Sequence, residues 1–172
     1  MDFNTENILI RPITEEYYQE NLDLLNSIIM ESHFLARKNK ITLEESEDFF
    51  ETYLSYPGTL YLIAIYNDKV VGHISCLPRF EELLNHIANI GYIVHKDFRK
   101  KGIASMLMKE LISRTIKINR IKIFIAEVAK DNIASVKLLK KYSFRKCGKI
   151  KDGMSRDKDE YVDLLQFSKQ FF

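Results

Sequence analysis

The chain has 172 residues, of which 46% are hydrophobic and 29% are charged, a size and composition that suit one domain with a full core. Its formal net charge of +2 is close to neutral and gives no reason to expect nucleic acid or an anionic membrane as a partner. The two cysteines are too few for a disulfide framework or a zinc site, which favours a reducing compartment. With no secretory signal pattern and no run long enough to span a bilayer, we expect a soluble, unprocessed cytoplasmic protein.

The first part of the chain predicts a short strand and two helices. Residues 8–11 are mostly β-branched and lead into a proline, as in an edge strand. Thr14 precedes two glutamates and a helical apolar pattern, and we expect it to be the N-cap of the first helix. Thr42 and Glu45 form a capping-box pattern, which predicts the start of the second helix.

The middle of the chain predicts a hairpin. Two strand-like runs, residues 60–65 and 70–76, flank the turn-forming pair Asn67 and Asp68. The next segment, residues 78–86, is compatible with either a loop or a short helix.

The second half of the chain alternates strands and helices. A strand followed by a helix and another strand favours two parallel neighbours, whereas the end of the chain predicts a hairpin with a polar turn over 151–160. The predicted elements are a strand at 90–94, a helix from 103 to about 118, a strand at 121–128, a helix from 131 to about 142, and strands at 144–150 and 161–167. Together these elements predict an α+β domain with a mixed sheet.

The stretch from Asn89 to Leu111 combines an apolar strand, a basic loop and an amphipathic helix. The loop has three consecutive basic residues starting at Arg99, and the small residues Gly102 and Ala104 lie at the helix start. A helix N-terminus offers unpaired N–H groups and the positive end of the helix dipole, and small residues let phosphates approach the backbone. The chain contains neither G-x-x-x-x-G-K-[ST] nor G-x-G-x-x-G, so two common phosphate loops are excluded.

These motifs resemble those of the GNAT superfamily of N-acetyltransferases. The segment 99–104 matches the pattern R/Q-x-x-G-x-G/A that follows the fourth strand in that family. Asn132 and Phe144 match a second pattern, an asparagine after the fifth strand and a Gly-Phe pair at the end of the next helix, with Ser143 in place of the glycine. The resemblance covers about residues 59–168, and the two N-terminal helices also fit it.

The resemblance implies a fold as well as a co-substrate. The expected fold is an α+β (α/β) domain, spanning 1–172, with a mixed but mostly antiparallel sheet of about six to seven strands and about four flanking helices. In that fold the parallel fourth and fifth strands splay apart, and acetyl-coenzyme A binds in the gap, with its pantetheine arm pairing like an added strand.

By the resemblance, the main chain near Ile93 and Val94 pairs with the pantetheine arm, and Asn132 holds the arm from the other side. The loop amides hold the pyrophosphate, and the basic side chains neutralise its charge. The residues assigned to acetyl-CoA are Ile93, Val94, Arg99, Lys100, Lys101, Gly102, Ile103, Ala104 and Asn132. No metal site is expected.

The resemblance also implies direct attack of a neutral amine on the thioester, aided by a base, an oxyanion donor such as the amide near Val94, and an acid. Glu127 lies in a stretch similar to the E-V-x-x-x-N of ribosomal-protein alanine acetyltransferases and is the leading base candidate, with a surface glutamate as the alternative. Asn89 stands where phosphinothricin-acetyltransferase-like relatives place an acidic residue. The usual acid is a tyrosine at the position of Leu139, so Tyr142 is the substitute candidate unless it is a core or rim residue.

We therefore expect an N-acetyltransferase that moves an acetyl group from acetyl-CoA to a primary amine of a small molecule, such as an amino-acid-like compound, a polyamine or an antibiotic. The alternatives are a protein N-terminal or ribosomal-protein acetyltransferase and a non-catalytic acyl-CoA sensor. The expected partners are acetyl-CoA and an amine acceptor, without nucleic acid or membrane. A homodimer through the closing hairpin is a further possibility.

Overall fold

A computed structural model describes residues 3–31, 34–156 and 159–172. Within those residues, seven strands form one mixed sheet in the order β1-β2-β3-β4-β5-β7-β6. The strands are β1 (Leu9–Pro12), β2 (Leu60–Tyr66), β3 (Lys69–Pro78), β4 (Ile87–Val94), β5 (Ile123–Ala129), β6 (Arg145–Ser155) and β7 (Tyr161–Gln170). The α-helices are α1 (Tyr18–Glu31), α2 (Leu43–Leu54), α3 (Ile103–Ile118) and α4 (Ile133–Lys141).

The expected fold class is confirmed by this architecture. Every neighbouring strand pair in the sheet is antiparallel except β4 and β5, which run parallel. The β4–α3–β5 connection is the crossover that a parallel pair needs, since a tight turn cannot join parallel strands. None of the described helices is long and apolar enough to cross a lipid bilayer.

The helices cover the two faces of the sheet, and each face has its own core. The α1 and α2 face includes the buried side chains of Phe50, Ile63 and Ile93. The opposite face, covered by α3 and α4, includes Leu111 and Phe124. Successive side chains along a strand point to opposite faces of the sheet. The core to which a residue of β4 or β5 belongs therefore identifies the face on which its side chain lies.

The observed starts of the first two helices agree only in part with those predicted from the sequence. The capping box is confirmed, because Thr42 Oγ1 accepts a hydrogen bond from Glu45 N and Glu45 Oε2 accepts one from Thr42 N. The expectation for Thr14 was wrong. Its side chain makes no capping hydrogen bond and donates instead to Glu16 Oε1 over 2.9 Å, and a short 3₁₀ turn precedes α1.

Two boundaries also differ from the sequence-based expectation. The final hairpin is longer than predicted, since β6 continues to Ser155 and its turn is correspondingly shorter than 151–160. Residues 157 and 158 of that turn lie outside the described part of the chain. The undecided segment 78–86 contains a single 3₁₀ turn, Glu82–Leu84. Exposed polar residues in both segments carry no clear period, so the pattern could not locate the strand end or the turn.

Candidate active site

The parallel strands β4 and β5 are paired over only a short distance. Their register joins Ile87–Asn89 to Ile123–Ile125 and then stops, although both strands continue. The remaining residues of β4 stay paired with β3 on their other side, and those of β5 stay paired with β7. An open V therefore lies in the middle of the sheet, with main-chain groups of two strand edges facing each other.

Hydrogen bonding to β3 determines which main-chain groups of β4 face this gap. At the end of the strand, His95 N donates to Val71 O over 2.9 Å. Bonded pairs alternate with unbonded ones along an antiparallel ladder, so Ile93 is also bonded to β3. The N–H and C=O groups of Tyr92 and Val94 consequently face the gap. The Val94 N–H is available for the predicted main-chain pairing, whereas the Val94 carbonyl accepts a bond from Arg99 and Ile93 offers only a buried side chain on the α1 and α2 face.

The loop between β4 and α3 forms a concave arrangement of backbone N–H groups. Lys100 has φ of 59° and Gly102 has φ of 86°, and Lys101 between them is not among the residues with positive φ. When the backbone conformation alternates between left-handed and right-handed residues, the successive amide N–H groups point toward one place and form an anion-binding nest. The first turn of α3 has no acidic residue, and a Cβ built on Gly102 would meet nothing within 4 Å. The space in front of this nest is open to an anionic group.

The other predicted loop residues differ in what they can offer. Ile103 is only 1% exposed and belongs to the core, so its backbone amide alone is free to contact a ligand. Ala104 is half-buried, and its small side chain lies in the same turn of α3. Asn132 is the N-cap of α4, where its Oδ1 accepts from Ser135 N over 3.1 Å. Asn132 would therefore contact a ligand through its side-chain amide nitrogen.

Arg99 connects the loop to the end of α1. Its Nε donates to Val94 O over 3.2 Å, and its Nη2 forms an ion pair with Glu31, the last residue of α1. The side chain is about half exposed and lies beside the β4 end of the gap. Arg99 thus contributes its positive charge near the nest while its guanidinium is held by protein groups.

Lys101 is held by aromatic rings. Its Nζ lies 4.6 Å from the ring centre of Phe3 and 5.1 Å from that of Phe98. Tyr66 completes the aromatic group, with its ring centre 5.0 Å from that of Phe3. Cation–π contacts of this type fix an ammonium group without neutralising it. The charge of Lys101 therefore stays close to the nest, whereas exposed Lys100 contributes its αL backbone.

Tyr142 is half-buried and connects α4 to α3. It caps the end of α4, and its hydroxyl donates to Ser105 O in the first turn of α3 over 2.6 Å. Its proton is therefore committed to a main-chain carbonyl near the nest. Leu139, at the usual tyrosine position, is 1% exposed and belongs to the core.

Glu127 lies on β5 beyond the point where pairing with β4 ends. Its neighbours Ala126 and Val128 are part of the core under α3 and α4, so the Glu127 side chain points to the opposite face, the one that carries α1 and α2. Glu127 is exposed, and its Oε1 accepts from Gln166 Nε2 of β7 over 2.8 Å. Gln166 itself lies against Gly148, where a Cβ would be 2.5 Å from Gln166 Oε1.

Sequence reasoning missed both Gln166 and Tyr92. Tyr92 projects from the gap edge of β4 to the α3 and α4 side, and its hydroxyl lies 3.4 Å from Ser135 O at the start of α4. Burial raises the pKa of this phenol, which therefore stays protonated. Its only sequence signal was a tyrosine hydroxyl within an otherwise apolar strand.

A buried polar network lies next to the gap under α1. His73 pairs with Ile93 across β3 and β4, and its Nδ1 lies 2.7 Å from Asn21 Oδ1 and 3.0 Å from Tyr61 Oη. Burial lowers the pKa of His73 to about 3 and raises that of Tyr61. His73 is thus neutral at physiological pH, and the network is a structural support for β3 rather than a group that contacts solvent.

A surface cavity of about 440 Å³ lies between α1 and the start of β3. Its lining includes Glu20, Asp23 and His95, but none of the residues predicted to bind acetyl-CoA or to act in catalysis. Among the described residues, no group of three or more His, Cys, Asp or Glu side chains is arranged to hold a metal ion.

Comparison with known proteins agrees with this geometry. A sequence model of the acetyltransferase (GNAT) family matches residues 22–144. An L-amino acid N-acetyltransferase of Escherichia coli is 33% identical over 116 residues, which are 66% of this chain and 69% of that protein.

Two solved structures share the fold. The ribosomal-protein-alanine N-acetyltransferase of Brucella melitensis superposes with a TM-score of 0.86 at 26% identity, over 95% of this chain and 99% of that one. The GNAT superfamily phosphinothricin acetyltransferase of Sinorhizobium meliloti, solved in complex with acetyl-CoA, gives 0.87 at 16% identity, over 95% and 88%. The separated parallel strands, the amide nest and the sequence match lead to one conclusion: this chain belongs to the GNAT family of acetyltransferases and is an acetyl-CoA-dependent N-acetyltransferase.

Proposed function

We propose that this enzyme acetylates the primary amine of a small, amino-acid-like molecule. The proposal depends on Glu127, a possible base that is exposed on the face of the sheet that carries α1 and α2. The amide nest, which would hold the donor, lies beyond the end of β4. The likeness to an L-amino acid N-acetyltransferase supports the same class of acceptor.

The donor fits the residues present. A pyrophosphate would be held by the amides of the segment 100–104, with Lys101 supplying charge, and an amide-rich arm would pair with Tyr92 and Val94 and meet Asn132. The open space in front of Gly102 is what such a cradle requires. When bound, acetyl-CoA supplies the activated acyl group.

Groups of the protein itself are proposed for the two proton transfers and for stabilising the oxyanion. Glu127 takes a proton from the acceptor ammonium, directly or through a water molecule, and Gln166 holds the carboxylate in place. The Val94 amide at the gap edge is the donor for negative charge that develops on the acyl oxygen. Tyr92 is preferred to Tyr142 as the proposed acid, because its hydroxyl donates only a long bond of 3.4 Å to Ser135 O, whereas that of Tyr142 donates a bond of 2.6 Å.

A protein N-terminus is the second candidate acceptor. It is favoured by the stretch around Glu127 and by the likeness to a ribosomal-protein-alanine N-acetyltransferase. Both candidates present an α-amine, so Glu127 would have the same role in each. The sensor alternative is not retained, because the family match and the relatives are acetyltransferases.

A thiol-release assay with acetyl-CoA would test the proposal. We expect turnover with one or more free L-amino acids and less with peptides that begin with Ala or Ser. Faster turnover with the peptides would replace the first candidate by the second. Release with neither class, from protein that binds coenzyme A in calorimetry, would contradict both.

A further inference from the structure

Phe3 lies beside the loop between β4 and α3, residues 95–102, which is here called the donor loop. The chain after Phe3 forms the 3₁₀ turn Thr5–Asn7, which Asn4 caps by accepting a hydrogen bond from Glu6 N over 3.0 Å. This turn leads into β1, the strand at the edge of the sheet next to β2. The Phe3 ring packs against the core on the α3 and α4 face and is part of the folded domain.

Three aromatic rings form a cluster beside Lys101. The ring centre of Phe3 is 5.0 Å from that of Tyr66, the last residue of β2, and 6.0 Å from that of Phe98 in the donor loop. The centres of Tyr66 and Phe98 are 5.6 Å apart, and we call the three rings the aromatic box. The ammonium nitrogen of Lys101 lies 4.6 Å from the Phe3 centre and 5.1 Å from that of Phe98. Phe3 therefore supplies the nearer of the two rings that hold this charge.

The backbone next to Lys101 is strained. Lys100 has φ of 59°, a left-handed conformation that is unfavourable for a residue with a Cβ. A residue keeps such a conformation only where the surrounding structure holds it. On one side of Lys100, Arg99 is bound to Val94 O and to Glu31, and on the other side Lys101 is held by the aromatic box. Side chains thus anchor the donor loop on both sides of its strained residue.

We infer that Phe3 is a positioning residue of the donor site, which holds Lys101 so that the amide nest is already formed when a pyrophosphate arrives. This inference rests on the proposed function, whose donor cradle it specifies. Amides that already point to one place lose less conformational freedom on binding, so pre-organisation of this kind increases affinity. Loss of the Phe3 ring should therefore weaken donor binding without removing any group that is assigned to the donor.

Calorimetry with coenzyme A tests the inference, at a temperature where every variant is folded. Phe3→Leu removes the ring but keeps an apolar side chain, and Phe3→Tyr keeps the ring. Lys101→Met removes the charge and keeps the stem, and a double variant combines Phe3→Leu with Lys101→Met. Phe171→Leu is the matched control. Phe171 is also half-buried, packs on the same core and lies 5.6 Å from a lysine ammonium, that of Lys169.

We expect Phe3→Leu to raise the Kd of coenzyme A about fivefold, whereas Phe3→Tyr and Phe171→Leu should stay within about twofold of the wild type. Lys101→Met should raise the Kd at least as much as Phe3→Leu, because it removes the partner of the ring. In the Lys101→Met background, Phe3→Leu should add less than about twofold, since the contact that it removes is already lost. General destabilisation would instead add equally in both backgrounds.

Wild-type affinity in Phe3→Leu would overturn the inference, and so would an equal effect of Phe3→Leu with and without Lys101. Either result would leave the amide nest and amine acetylation intact. If the wild type itself bound no coenzyme A, the donor cradle of the proposed function would be overturned together with the inference.

Discussion

The two ends of the β4–β5 gap present different kinds of chemical group. At the donor end, the groups proposed to bind a ligand are mainly backbone amides, of the segment 100–104 and of the open edge of β4. At the acceptor end the proposed groups are side chains, namely Glu127 of β5 and Gln166 of β7. One end depends on local chain geometry, and the other on residues that only the complete fold brings together.

The two ends should therefore respond differently to substitution. Backbone amides are present whatever the side chains are, provided that a glycine or another αL residue allows the turn. The acceptor end can change with single substitutions on separate elements and leave the fold intact. The following changes test that division, in order of decreasing expected effect.

The largest effect is expected at the donor end. Gly102→Glu places a carboxylate in front of the nest, where it competes with the pyrophosphate, and we expect binding of coenzyme A to be lost in calorimetry. Gly102→Ala is the matched control. Its Cβ enters open space but the positive φ is strained by about 1 kcal/mol, so stability falls slightly and binding persists. Loss of binding in both variants would point to backbone geometry rather than charge.

At the acceptor end, we expect Glu127→Gln to lower kcat about 10²- to 10³-fold, because it removes the proposed base. The Kd of coenzyme A should not change. Exposed Glu51 on α2 supplies the control variant, Glu51→Gln, which should have wild-type kinetics. A drop of less than threefold in the Glu127 variant would show that another group or solvent takes the proton.

The scaffold next to the gap should respond to acid. Burial holds the pKa of His73 at about 3, so below pH 6.5 the unfolded chain takes up a proton that the folded protein does not. We expect the free energy of unfolding to fall by about 1.4 kcal/mol per pH unit from this residue as pH drops from 6 toward 4. Urea titrations of wild type and His73→Gln would measure it. A parallel decline in both proteins would assign the effect to other groups.

A smaller effect is expected from the tyrosines. Tyr92→Phe removes the proposed acid, and because a thiolate is a tolerable leaving group we expect kcat to fall only about tenfold. Tyr142→Phe removes the bond to Ser105 O and should reduce stability by about 1 kcal/mol with little change in kcat. The reverse pattern would restore Tyr142 as the acid.

The smallest effect should be confined to stability. Thr42→Ala removes the capping box of α2 and should cost about 1 kcal/mol of unfolding free energy. Because both capping bonds lie at the exposed start of α2, kcat and the Kd of coenzyme A should be unchanged. A kinetic change would show that α2 contributes directly to the acceptor site.

The strand, loop and helix around the proposed donor site could be predicted from the sequence because their signals are contiguous. Gly102 and the basic residues before it lie within one strand–loop–helix stretch, and Asn132 is found at the start of α4 as expected. The parallel pair followed from the succession of strand, helix and strand, whereas the order of all seven strands in the sheet was not predicted. Thr14 was misassigned because a threonine before two glutamates looks the same whether it caps an α-helix or heads a 3₁₀ turn.

The acceptor end had no comparable signal. In the sequence, Glu127 looks like any surface glutamate near the end of a strand. Gln166 is one of many polar residues in the closing hairpin, and only the register of β5 with β7 brings it to Glu127. This pairing arises from tertiary structure, which local pattern does not encode.

The ion pair between Arg99 and Glu31 has a thermodynamic consequence. Arg99 belongs to the donor loop, whereas Glu31 ends α1 directly before its connection to α2. If binding of a pyrophosphate to the loop loosens this contact and thereby changes the affinity for the acceptor, linkage requires the acceptor to change the affinity for the donor by the same factor. The ion pair would then couple the two substrates.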